Sequence, residues 1–192
     1  APCFPDFVGD AYAAMAACET ALFVIDGSSG VQTTATRLWY AAEDQSLARA
    51  VFVNRLDRAD IDYDAVIDDL RVRFGPRLAS VTIPMGTGEE FQGVIDVVRM
   101  KACKLDGTKN VESDIPAEFA DAAQAARDEL IELVVEADDE IMMMYLEGEP
   151  VEQDTLEELL TKAIVNRIFV PVFAGVAVNE EGILPLLDNI IA

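Results

Sequence analysis

The apolar run Val51-Phe52-Val53 stops abruptly on Asn54-Arg55-Leu56-Asp57. An amide and a carboxylate placed so closely can offer a donor and acceptors to the edge of one heterocycle. A short β-branched run reads as a buried strand. In an open α/β sheet, the carboxyl ends of such strands are where ligands bind. An Asn/Asp turn that merely ends a strand leaves the same signature, so these residues alone carry both readings.

Other chemistries are narrowed by what is missing. The 192 residues contain no histidine, which removes Ser-His and Cys-His nucleophilic pairs and the usual zinc sites. A general base would have to be a carboxylate. Cys3, Cys18 and Cys103 are odd in number and show neither CxxC nor metal spacing, so reduced and mostly buried thiols are expected. The net charge is -22. Between Asp60 and Glu158 stand 26 acidic and 8 basic residues, which account for -18 of it. A surface this acidic repels phosphate backbones, so direct nucleic-acid binding by that segment is not expected; a basic protein partner or a merely solvated face fits it. No apolar run is long enough for a membrane span and no secretory leader is seen, which predicts a soluble, cytoplasmic chain.

The elements that must position the Asn54 to Asp57 group follow from periodicity. A helix is expected from Asp10 to Glu19, then a buried strand Ala21-Leu22-Phe23-Val24-Ile25 ending at Asp26-Gly27. Val31, Ala35, Leu38, Trp39 and Ala42 recur at helical spacing before the Val51 strand. Strand, helix, strand is the ordinary construction of a parallel sheet. Another helix carries Tyr63, Val66, Ile67, Leu70 and Phe74. The style then changes: residues 78–83, 91–98 and 99–105 read as an antiparallel patch with Asp106-Gly107 as a hairpin turn. Helices follow from Ile115, with Asp154 and Glu157 as a capping box for the last of that group. Met142, Met143 and Met144 are consecutive and cannot share one face, which points to core packing rather than a groove. The strand Ile168 to Phe173, Ala174-Gly175-Val176-Ala177 and a final helix through Ile183, Leu186, Leu187 and Ile190 return to the first style. The expected architecture is α/β, with residues 1–60 and 166–192 as a parallel core and 61–165 as an α+β insert.

A strand ending in Asp26-Gly27, one ending in Asn54-Arg55-Leu56-Asp57, and a last strand leading into Gly175-Val176-Ala177 resemble the guanine-binding half of a translational GTPase. The chain is most similar in pattern to the elongation factor G family, a likeness that continues through Ile115-Pro116-Ala117-Glu118, Glu136-Ala137-Asp138-Asp139-Glu140, Tyr145-Leu146-Glu147-Gly148 and Leu186-Leu187-Asp188. The resemblance implies a P-loop NTPase-type GTPase fold, here partial because the P-loop strand is lacking, with the family's inserted subdomain. Asn54-Arg55-Leu56-Asp57 stands for the family's Asn-Lys-x-Asp. Asp57 would accept hydrogen bonds from the guanine ring nitrogen and exocyclic amine, worth about 1.5 to 3 kcal/mol for a charged acceptor. Asn54 would tie loop and base together, and Arg55 would lay its planar head where a lysine stem covers the base. Val176-Ala177 matches the family's Ser-Ala, with the hydroxyl lost at Val176.

The departures lie toward the phosphate end. Pro2-Cys3-Phe4-Pro5-Asp6-Phe7 aligns with Pro-Gly-His-x-Asp-Phe, so Cys3 replaces a glycine whose amide meets the terminal phosphate and Phe4 occupies the catalytic histidine position. A phenyl ring cannot polarise water, and cysteine lacks the backbone freedom of glycine. No G-x-x-x-x-G-K-[ST] occurs in the sequence, so the chain alone is expected to lack GTPase activity and magnesium ligands and to bind GTP or GDP weakly. The expectation is a fragment of the GTP-binding domain of a factor that uses GTP to drive ribosomal translocation, whose acidic insert docks the ribosomal stalk protein. Self-association of the fragment is also expected. The alternative is a diverged paralogue that binds nucleotide or ribosome without ordinary hydrolysis. A receiver-like reading with Asp26 as phosphate acceptor would need a paired acidic cluster after the first strand and a lysine on a late strand end, and it does not explain the insert.

Overall fold

The structure, a computed structural model, describes residues 5–107 and 109–191. Cys3 and Phe4 lie outside the described residues. Among those described, eight strands and seven α-helices follow in order: α1 (Val8–Met15), β1 (Thr20–Asp26), α2 (Thr33–Asp44), β2 (Ala48–Asn54), α3 (Tyr63–Phe74), β3 (Leu78–Ser80), β4 (Thr82–Pro84), β5 (Val94–Asp96), β6 (Lys101–Asp106), β7 (Lys109–Ser113), α4 (Ala120–Val134), α5 (Asp139–Leu146), α6 (Gln153–Val165), β8 (Val170–Ala174) and α7 (Ile183–Ile191).

Four strands form a wholly parallel sheet in the order β1-β2-β8-β3, and β4-β5-β6-β7 form an antiparallel one. Alternation along β2 and β8 divides the parallel sheet into two buried faces. Val51, Val53, Val170 and Val172 pack with Leu38, Trp39, Ile67 and Leu70 on one side. Phe52, Ala79 and Phe173 pack on the other with Ile95 and Val97 and with Leu130, Leu156 and Leu160 of α4 and α6. Trp39 stacks on Phe74 at 4.0 Å between ring centroids, 8° from parallel, while Phe23 tilts against both. Both faces being covered explains why these strands read as continuous apolar runs.

Three expectations need correction. Leu78 to Ser80, expected in the antiparallel patch, pairs in parallel with Val170 to Val172, and α3 packs on the same layer. The chain crosses from one sheet to the other at Val81, whose amide donates to the Val172 carbonyl at 2.8 Å and whose carbonyl accepts from Val97 N at 3.0 Å. A fully buried apolar run has the same composition whichever partner it takes, so the switch left no periodic trace. The capping box is absent: Glu152 occupies the N-cap of α6 without a side-chain bond, and Asp154 lies in its first turn. Finally, Cys103 is buried but Cys18 is exposed. Burial raises the Cys103 thiol to about 11, with the Asp96 charge adding to it. The Asp106-Gly107 hairpin joins β6 and β7 as expected. Core packing of the three methionines holds only for Met142, which packs inward; Met143 and Met144 are exposed on the other faces of α5. Among the described residues no helix is long and apolar enough to cross a membrane.

Candidate base-recognition site at the strand ends

The carboxyl ends of β1, β2 and β8 meet on one edge of the parallel sheet, as its register requires: Asp26 lies beside Asn54, and Val53 beside Ala174. Gly27 N donates to the Asn54 carbonyl at 2.9 Å, and Gly175 N to the Val53 carbonyl at 3.0 Å. These close approaches need small residues. A Cβ at Gly175 would collide with the Glu181 carbonyl and come 3.0 Å from the Phe52 ring; one at Gly27 would lie 3.2 Å from Leu56 Cδ2.

Asn54 is the knot of the site. Its Oδ1 accepts the Ala177 amide at 2.9 Å and the Arg55 amide at 2.8 Å, joining loops 123 residues apart in sequence. Among the expected site residues the structure therefore brings Asn54, Arg55 and Ala177 into contact. Leu56 is wholly buried, which anchors the loop and leaves Asp57 exposed to solvent. Val176 is buried among Val53, Leu56 and Val172, so a methyl-bearing side chain suits its place, and the backbone there reaches Asn54 only through Ala177.

Arg55 differs from a free stacking cation. Its Nη1 donates to Asp26 Oδ2 at 2.6 Å, and its backbone sits at φ +67, a left-handed conformation uncommon for a non-glycine residue. Asp26 also accepts the Ser28 hydroxyl at 2.7 Å and the Ser28 amide at 3.0 Å. Burial pushes the Asp26 carboxyl up, but the Ser28 bonds and the Arg55 guanidinium outweigh it and hold it below its ordinary value. The sequence reading missed this ion pair because its partners are 29 residues apart. It also missed the contact of the β4–β5 loop with the Leu56 to Ile61 segment, for which the only written sign is the glycine spacing Gly86, Gly88 and Gly93.

Two clefts lie elsewhere, one between α3 and α4 beside Tyr63 and Arg71, another between α6, α7 and Arg99. With Arg55 and Asp57 exposed and Asn54 half-buried, the strand-end group is an open ledge. Its donors and acceptors fit a planar base: a rigidly bonded amide, an exposed carboxylate and backbone held close by two glycines. Among the described residues no cluster of acidic, cysteine or histidine side chains fits a metal ion.

A parallel α/β sheet with three strand ends converging on one edge, two of them polar at Asp26 and Asn54, and an antiparallel unit fused to its rear face, is the construction of a nucleotide-binding type of domain. Residues 1–192 match the elongation factor Tu GTP binding domain, and the chain belongs to that family. It is 34% identical over 189 residues to elongation factor G of Thermotoga sp. (strain RQ2), and 33% identical over the same length to elongation factor G of Thermotoga maritima. Those alignments cover 97% of this chain and 27% of each relative, so the chain spans about a quarter of their length. A crystal structure from Thermus thermophilus superposes with a TM-score of 0.87 at 34% identity, covering 96% of this chain and 28% of that one. These likenesses support a translational GTPase domain of elongation factor G type, and do not favour the reading of a diverged non-hydrolysing module.

Proposed function

We propose that this chain is the guanine-reading part of an elongation factor G-like GTP-binding domain, and that the longer protein uses GTP to drive ribosomal translocation in the cytoplasm. The observation that carries the reading is the double acceptance by Asn54 Oδ1, which locks the loops after β2 and β8 together and leaves the Asp57 carboxylate open. In this role Asp57 accepts from the guanine ring nitrogen and exocyclic amine. Ala177 supplies backbone to the same edge, Val176 seats that loop in the core, and Arg55 closes the base side of the ledge from its tether on Asp26. Cys3 and Phe4 stand by resemblance at the phosphate end. Bound GTP or GDP would bring its own magnesium contacts, which these residues do not supply.

The parallel core and the unit built on β4 to β7 with α4 to α6 divide the labour. The core, to which α3 and β3 belong, reads nucleotide, and the acidic unit, which begins at β4 and so is narrower than the expected 61–165, docks the ribosome through its stalk protein. The edge of β1, with Leu22 and Val24 at 41% and 52% exposure, is the proposed seat of self-association. A monomer by light scattering across a range of concentrations would count against that part.

Titration of the ¹⁵N-labelled chain with millimolar GDP and ADP tests the base reading. Guanine-selective shifts at Asp57 and Ala177, lost in Asp57→Ala, are expected; an equal response to ADP would overturn it. Turnover of GTP by this chain alone is expected to be absent, and calorimetric GDP affinity weaker than micromolar. Micromolar or tighter binding contradicts the second expectation.

A further inference from the structure

The loop carrying Asp57 is held from three directions. Two are the neighbouring strand ends, through Gly27 N on the Asn54 carbonyl and Ala177 N on Asn54 Oδ1. The third comes from outside the strand ends, from the connection between β4 and β5. Here Gly88 N donates to the Leu56 carbonyl at 2.8 Å, and Thr87 Oγ1 to the Ile61 carbonyl at 2.9 Å. The two bonds bracket Asp57, one on the residue before it and one at the far end of the same loop.

The donor loop is built to be stiff. Met85 is fully buried, and Met85 N to Gly93 O and Gln92 N to Met85 O close the loop at 2.9 Å each. Gly86 and Gly93 stand at φ +78 and +126, and a Cβ on either would strike a backbone carbonyl, of Glu90 and Cys103 respectively. Gly88, at φ +64, lies so near the recipient that a Cβ there would come 3.3 Å from the Arg58 carbonyl. The recipient is the softer of the two. Asp57 to Asp60 are exposed, and Asp60 sits at φ +61.

We propose that Thr87 and Gly88 are positioning residues for guanine recognition: through the Leu56 and Ile61 carbonyls, the connection between β4 and β5 sets the pose of the Asp57 carboxylate. The inference rests on the reading of Asp57 as the guanine acceptor. Selective readout requires an acceptor fixed to within a fraction of an ångström, and an exposed loop achieves that only with outside bonds. Base selectivity is then coupled to the packing of the antiparallel sheet, from which the bracing loop springs.

The test uses the full 192-residue chain with Thr87→Val, Thr87→Ser and Gly88→Ala. Amide hydrogen exchange at Arg58 and Gly88 reads the brace without nucleotide; titration with GDP and inosine diphosphate, which lacks the exocyclic amine, reads its consequence. Losing one such bond is expected to speed exchange about tenfold in Thr87→Val. The preference for GDP over inosine diphosphate should shrink several-fold, and Thr87→Ser, which keeps the hydroxyl, should retain both properties. Gly88→Ala should loosen the loop further. Unchanged exchange in Thr87→Val overturns the brace; a looser loop with an unchanged base preference overturns the positioning role. Absence of guanine-selective shifts in the wild-type chain overturns the base reading itself, while exchange still reports on the brace separately.

Discussion

The parallel and antiparallel sheets bury their side chains differently, and the difference locates the site. β2 and β8 are buried on both faces because helices and the second sheet cover them, so beyond Arg49 near its start β2 shows a polar side chain only where it runs out, at Asn54. β7 is exposed along most of its length and alternates less strictly, so polar residues there are spread over a solvated face and converge on nothing. A two-sided core compresses chemistry to the strand ends; a one-sided sheet scatters it. The antiparallel unit contributes instead by bracing, and by sharing the rear core through Phe52 and Phe173.

The largest test of this contrast is whether the sheets unfold together. Phe173 is 2% exposed and lies in the cluster common to both. Phe173→Ala should cost about 3 to 5 kcal/mol. Urea denaturation followed by Trp39 fluorescence and by far-UV circular dichroism should give one coincident transition; separate transitions would break the shared-core description. Next is the knot itself. Asn54→Ala leaves the Ala177 and Arg55 amides without their acceptor and should cost about 1 to 3 kcal/mol, with exchange accelerating at Ala177 but not along β6. Uniform acceleration in both sheets would show a global loss instead of a local one.

The smallest effect concerns Arg55 and Asp26. The folded-state pKa of Asp26 is lowered, so the group's contribution to stability is fully present above its unfolded value, near 3.8, and is lost as pH falls through the folded value beneath it. The pair is half exposed on the arginine side, so its net worth is below about 1 kcal/mol. Arg55→Gly removes it while relieving the left-handed backbone. The Asp26 carboxyl, followed by NMR titration, should move up toward its ordinary value, and stability at neutral pH should change little. A large loss there would mean that the guanidinium holds the ledge together by more than this one pair.

Much of the fold was legible because burial has a period. β1, α2, β2, α3 and α7 stand where apolar spacing puts them, and the Asn54 to Asp57 group falls on a strand end as read. Leu78 to Ser80 was misassigned because a buried strand carries no label for its partner. The capping box at Asp154 failed for a related reason: Gln153 instead bonds Glu157 and Arg127 across the helix start, a tertiary alternative that local spacing cannot weigh. Arg55 read as a cation free to cover a base, whereas Asp26 holds its head.

By itself, then, the order of residues determined which segments are helix or strand, which strands are buried on both faces, and which side chains arrive at the strand ends. Those are consequences of local conformational preference and of hydrophobic period, both written within a few residues. Only the tertiary structure decided that Asn54 accepts the Ala177 amide, that Arg55 turns to Asp26, and that Thr87 and Gly88 grip the loop around Asp57. Such bonds depend on chain crossings between distant segments, whose distances are set by how the two sheets pack.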